Sequence, residues 1–259
     1  MITSSQNAKV KLARSLAARA KDRRTSRAFL AEGVRLVEEA LTAHWPFRYL
    51  LYSDDVSERG RRLLRDVQGC EIETEEVQSR LLETISDTAT SQGVLAVLED
   101  KRLPIPRTPD FVLILDAVRE PGNAGTLLRS ASAAGVQAVF VAPGTADPIS
   151  AKVVRAGMGA HFRLPIHSLE WDAIGRHIES AGLTVCLADM HGRACWEAPM
   201  DAAIALIIGG EAEGASPAAR RLTHETISVP MESGVESLNA AVAGSILMFE
   251  ALRQRRLSA

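Results

Sequence analysis

The period of the apolar residues changes several times along the chain, and each change marks an element. Ala28 to Glu32, Phe47 to Ser53 and Val94 to Leu98 are short apolar runs of strand length. Val34 to Leu41 and Glu58 to Val67 place apolar residues every three to four positions, as a helix with one buried face does, and Glu75 to Leu82 reads as a further helix. This alternation predicts a small α/β unit over residues 1–100. Residues 101–110 carry Pro104, Pro106 and Pro109, whose rings supply no N–H, so the segment is expected to be a linker. Beyond it Phe111 to Asp116, Ala138 to Val141, Leu183 to Ala188 and Ile204 to Ile208 read as strands, and Asn123 to Ala134 as a helix. A second α/β domain over residues 111–259, with a parallel sheet covered by helices on both faces, follows. The last helix is expected from Ser237 to Arg256, capped by Ser237 or a neighbour. Its small residues Ala240, Ala241, Ala243 and Gly244 suit tight packing inside the fold, a dimer contact, or both.

A hydrophobic content of 46% with 24% charged residues fits a globular protein with a real core. No apolar run approaches the roughly 18–20 residues that span a bilayer, and nothing near Met1 resembles a signal peptide, so a cytoplasmic location is expected. Cys70, Cys186 and Cys195 lack the paired spacing of a zinc or redox motif and are expected to be free thiols. The net charge of −2 hides an asymmetry. Met1 to Arg27 holds eight basic residues and one acid, Asp22, a net of +7 that leaves −9 for the rest. Such a cationic arm suits an RNA backbone through Lys9, Lys11, Arg14, Arg23 and Arg24, although a solvated helical surface or an Arg- and Ser-rich transit peptide has the same composition.

Three loops lie where ligands bind open α/β sheets, beyond strand C-termini. Glu120-Pro121-Gly122-Asn123-Ala124-Gly125 leads into a helix carrying Arg129. It lacks the Lys-Ser/Thr ending of a P-loop and the glycines of a dinucleotide fingerprint, which excludes the usual ATP and NAD motifs. Asn123 is either a helix cap or a site residue. Gly209-Gly210-Glu211-Ala212-Glu213-Gly214 follows an aliphatic strand, and Glu211 is either a solvated loop acid or a carboxylate aimed into a site. The third loop runs from Val229-Pro230-Met231 to Ser237-Leu238-Asn239. Neither a Gly-x-Ser-x-Gly elbow nor His-Glu-x-x-His is present, so hydrolase chemistry lacks support.

Together, Asn-x-Gly-x-x-x-Arg from Asn123 to Arg129, Gly-x-Glu-x-x-Gly from Gly209 to Gly214, and Pro-Met followed by Ser-Leu-Asn from Pro230 to Asn239 resemble the three ordered motifs of the SpoU (TrmH) family of RNA 2'-O-ribose methyltransferases, in the SPOUT superfamily. Ser5, Asn7, Lys11 and Phe29-Leu30-Ala31-Glu32-Gly33-Val34-Arg35 resemble that family's N-terminal substrate-binding domain. Glu120 departs from the more frequent Asp before the proline but keeps the acid. The resemblance implies a SPOUT domain with a deep trefoil knot and a smaller, ribosomal-protein-L30e-like α/β domain. It implies S-adenosylmethionine as methyl donor, held around Gly209, Gly210, Gly214, Val229, Met231 and Leu238, with no metal. It further implies a homodimer through the C-terminal helix and an RNA substrate, rRNA (23S) before tRNA. Arg129 would stabilise the ribose 2'-oxygen and grip the neighbouring phosphate, since a guanidinium keeps its proton in proteins. Asn123 and Asn239 would orient the hydroxyl and Arg129, Ser237 would cap the helix or bind phosphate, and Glu211 would pair with Arg129. The alternative is an RNA-binding protein that keeps the fold without the chemistry.

Overall fold

The computed structural model describes residues 1–86, 91–211, 213–232 and 237–258; Ala212 of the second motif lies outside them. Two compact units separate, Met1–Lys101 with Ile149–Phe162, and Arg102–Pro148 with Arg163–Ala259.

The first unit is a four-stranded sheet in the order β1-β4-β2-β3, built from β1 (Ala28–Glu32), β2 (Phe47–Tyr52), β3 (Thr74–Glu76) and β4 (Val94–Glu99). Its helices are α1 (Ala8–Ala18), α2 (Ala20–Ser26), α3 (Val34–Thr42), α4 (Glu58–Gly69) and α5 (Ser79–Glu83). The single helix expected over Glu75 to Leu82 is instead the edge strand β3, parallel to β2, followed by the one-turn α5. Here the partner strand overrides a local pattern too short to define a helix. The N-terminal segment is two helices packed into the unit. Asn7 caps α1, accepting from the Lys9 N–H at 2.9 Å, and Val10, Ala13 and Leu16 are fully buried in a cluster with Leu30, Leu51, Leu82 and Val97.

The second unit carries six parallel strands in the order β10-β8-β9-β5-β6-β7. In chain order its elements are β5 (Phe111–Asp116), α6 (Pro121–Ala134) and β6 (Ala138–Val141). After α7 (Ala151–Gly157), which groups with the first unit, come β7 (Ile166–Ser168), α8 (Trp171–Ala181), β8 (Thr184–Ala194) and β9 (Ile204–Gly209). The chain ends with α9 (Pro217–Leu222), β10 (Glu225–Ser228) and α10 (Ala240–Leu257). β5 and β9 are central and almost wholly buried, which explains their unbroken aliphatic runs. β8 continues to Ala194, past the apolar Leu183 to Ala188, because its polar half pairs with the end of β10 at Arg193 and Ala194. Among the described residues no helix is long and apolar enough to cross a membrane, and no cluster of His, Cys, Asp and Glu could hold a metal ion.

The small face of α10 is used inside this unit. Ala241, Gly244, Leu247, Met248 and Ala251 are buried, and a Cβ on Gly244 would meet Leu127 of α6 at 2.4 Å and Ile208 of β9 at 3.1 Å. The outer side instead carries Val242, Ile246 and Phe249 at helical spacing, each 40–48% exposed.

Candidate functional site

The three loops converge at the C-terminal ends of β5, β9 and β10. Ala117 follows Asp116 with φ of 54°, a left-handed conformation uncommon for a residue with a side chain. Glu120 then caps α6, accepting from the Gly122 N–H at 3.2 Å, with Pro121 in the first turn. The β9 loop presses on this turn so closely that a Cβ on Gly210 would lie 2.3 Å from the Ala117 carbonyl oxygen. Only glycine permits that approach.

Side chains then join the three motifs. Asn239, rather than Ser237, caps α10, its Oδ1 accepting from Ala241 and Val242 at 2.9 and 3.2 Å. An amide whose oxygen faces a helix N-terminus must turn its nitrogen outward, and Asn239 Nδ2 donates to Asn123 Oδ1 at 3.0 Å. That in turn points Asn123 Nδ2 at Glu211, to whose Oε1 it donates at 2.8 Å. Burial disfavours the charge on Glu211, but the Asn123 amide and the backbone N–H groups of Glu211, Arg119 and Glu120 outweigh it and hold the carboxyl below its ordinary value. Glu211 is therefore a charged hub that ties the first loop to the second, while Asn123 ties both to the third.

Beside this chain opens a cavity of about 620 Å³ within the second unit. All six residues expected to hold the donor, Gly209, Gly210, Gly214, Val229, Met231 and Leu238, line it, as do Glu211, Ser237 and Asn239. Ile208, Ile227 and Leu247 add apolar wall suited to a purine, and the carboxylate of Glu211 suits a cationic group. The size and mixture fit a nucleoside cofactor with a sulfonium centre.

Arg129 stands apart. It is exposed on α6, does not line the cavity, and forms no ion pair or hydrogen bond among the described residues. The expected Glu211–Arg129 ion pair is absent, because Asn123 takes the carboxylate. In the first unit, Lys9 is held between Glu73 and Glu75 at 2.5 Å each, and buried Arg23 donates to the Leu16 and Ala17 carbonyls that end α1. Arg14 bonds Thr84, while Lys11 and Arg24 are exposed.

Several site residues escaped sequence reasoning. Asp116 is fully buried and accepts from the Ser216 N–H at 2.6 Å, anchoring the loop between β9 and α9. Its position at the end of a strand run was the available signal. Asp189, Met190 and His191 line the cavity from the polar half of β8, and Arg220 of α9 lines it while pairing with Asp189 at 3.3 Å. Nothing in their spacing marked them.

The profile of the SpoU rRNA Methylase family matches residues 110–249, and that of the MRM3-like substrate binding domain residues 7–96. The chain is 34% identical to the 23S rRNA (guanosine(2553)-2'-O)-methyltransferase RlmP of Bacillus subtilis, over 96% of this chain and 97% of that protein. It is 33% identical to the 23S rRNA (uridine(2479)-2'-O)-methyltransferase of Streptomyces viridochromogenes, over 97% and 91%. The crystal structure of the SpoU methyltransferase AviRb from Streptomyces viridochromogenes with AdoMet superimposes with a TM-score of 0.82 at 32% identity, covering 98% of this chain and 100% of the other. An AdoMet-bound rRNA methyltransferase from Sinorhizobium meliloti gives 0.84 at 29% identity, covering 97% of each.

Proposed function

The chain belongs to the SpoU rRNA methylase family, and from that premise we propose that it methylates a ribose 2'-hydroxyl of 23S-type rRNA, in the cytoplasm. It is an S-adenosylmethionine-dependent RNA 2'-O-methyltransferase. The observation that carries the proposal is the hydrogen-bonded chain Asn239–Asn123–Glu211, which unites all three motifs at the rim of the cavity.

When bound, S-adenosylmethionine supplies an activated methyl group. The protein's part is alignment. The cavity lined by Gly209, Gly210, Gly214, Val229, Met231 and Leu238 holds the donor. Glu211, already charged, fixes the Asn123 amide, and Asn123 with Asn239 orients the ribose hydroxyl. Arg129, exposed and without an acid partner among the described residues, is available to the alkoxide that forms and to the adjacent phosphate. A phosphate oxygen or water takes the proton, since guanidinium cannot. Ser237, which lines the cavity while Asn239 caps the helix, binds phosphate in this reading.

The remaining features belong to the same proposal: the knotted path of the β9-to-α10 segments, RNA binding by the first domain, and a homodimer. The support for the dimer is the exposed stripe Val242, Ile246 and Phe249 on α10, an apolar face in need of cover.

Ribosomal RNA from a strain lacking the gene should miss one 2'-O-methyl group. The wild-type gene should restore it, and Arg129→Lys should not, because Lys cannot span two oxygens with a planar fork; its turnover should fall on the order of 100- to 1000-fold with donor affinity by calorimetry unchanged. An unaltered methylation map would overturn the rRNA assignment, and an active lysine variant the role of Arg129.

A further inference from the structure

The charges that the sequence offers to RNA most plainly, on α1 and α2, are partly engaged within the fold, as Lys9 and Arg23 show. A different helix of the same unit presents free ones. α4 buries Gly60, Leu63, Leu64 and Val67 on one side and carries Arg59, Arg61, Arg62 and Arg65 on the others, all exposed. Two of the four have acid partners: Arg59 pairs with Glu38, and Arg62 with Glu58 one turn before it. Arg61 and Arg65 have none among the described residues.

Arg61 and Arg65 are four positions apart, so they are neighbours on one flank of the helix, about 6 Å apart at Cβ. Like charges in that relation destabilise a helix. Packing gives no reason for them, since neither side chain is buried. A partner with repeated negative charge at a similar spacing would reverse the sign of the interaction, and a nucleic-acid backbone is such a partner. Two arginines with free planar forks can each take a phosphate through paired N–H donors.

We propose that the Arg61–Arg65 flank of α4 docks on the phosphate backbone of the substrate RNA. The assignment rests on the reading of the chain as an RNA methyltransferase, and adds a surface to it. These contacts set position and affinity, not sequence choice, because phosphates carry no base identity. They add a second cationic surface to that of the first 27 residues, where Lys11 and Arg24 remain exposed.

The test is filter binding of a 20-base-pair RNA duplex across a salt series, with the full-length protein and three variants. Arg61→Glu and Arg65→Glu should each weaken binding and flatten the slope of log affinity against log salt by about 0.7 to 0.9, the value of one lost phosphate contact. Arg59→Glu makes the same change of net charge on the same helix and should leave the slope near wild type. All three side chains are exposed and outside the core, and thermal melting of each variant, Arg59→Glu with its lost Glu38 partner included, should show a folded protein. Equal effects from all three would reduce the surface to general charge and overturn the proposal, as would unchanged binding by the Arg61 and Arg65 variants. Donor binding by calorimetry should be the same in every protein; its failure in wild type would strike the methyltransferase reading instead.

Discussion

At the scale of single residues, the site is organised by Glu211. The carboxylate is held below its ordinary value of 4.5 by the Asn123 amide and neighbouring N–H groups, so its ionised form stabilises the folded loops. The sign follows from the direction of that shift. A lowered folded-state value gives stability that is complete above 4.5 and lost as pH falls through the lower folded value. Thermal denaturation of wild type and Glu211→Gln should therefore differ by a constant gap at neutral and mildly acid pH, and the gap should close below about 4.5. A gap that persists unchanged to pH 3 would show that ionisation of Glu211 contributes nothing. The hub itself was legible in the motif; its partner was not. Glu211 and Arg129 have opposite charge, which invites pairing on paper, whereas the cap at Asn239 fixes the direction of each amide and delivers a neutral donor to the acid.

At the scale of elements, strands in the sheet centres were readable to within a residue because both faces are buried and the apolar run is continuous, as in Phe111–Asp116 and Val94–Glu99. Half-exposed polar elements were not. β3 lies at a sheet edge with half-exposed Thr74, Glu75 and Glu76, and the second half of β8 is polar where it meets β10. Helix α10 was foreseen, yet its small face could equally have served a dimer or the core. Geometry decides: Gly244 faces Leu127 and Ile208 of its own unit. Gly244→Leu should thus destabilise the unit through overpacking by about 1–3 kcal/mol, whatever the oligomeric state. Phe249→Glu alters only the outer stripe, and by light scattering it should yield monomers with near-native melting. A Gly244→Leu protein as stable as wild type, or a Phe249→Glu dimer as tight, would refute the respective half of this division of labour.

At the scale of the whole molecule, the first 27 residues have a consequence that their charge alone concealed. Read as a cationic arm, the segment could be removed at the cost of RNA affinity only. In the structure α1 contributes Val10, Ala13 and Leu16 to the core beneath the first sheet, each with no exposed surface. Burial of the Val10 and Leu16 side chains contributes about 1.5–3 kcal/mol apiece, a large part of the roughly 5–15 kcal/mol that holds a domain folded. Arg23 also closes the carbonyls at the end of α1, and Lys9 ties it to Glu75 of β3 and to Glu73 just before that strand. The alternation of charge and apolar residues in this stretch was visible in the sequence, but a seven-charge excess drew the eye to solvent and masked the i, i+3, i+6 positions that face inward. Deleting Met1 to Arg27 should accordingly unfold the first unit: amide hydrogen exchange across β1, β2 and β4 should lose its protection, and trypsin should cut within residues 28–101. Among the described residues the cavity is lined by residues from Ala188 to Leu247, all in the second unit, so donor binding measured by calorimetry should survive the truncation. If the truncated protein instead keeps native protection in β1, β2 and β4, the helices are an appendage after all, and the core assigned to α1 is wrong.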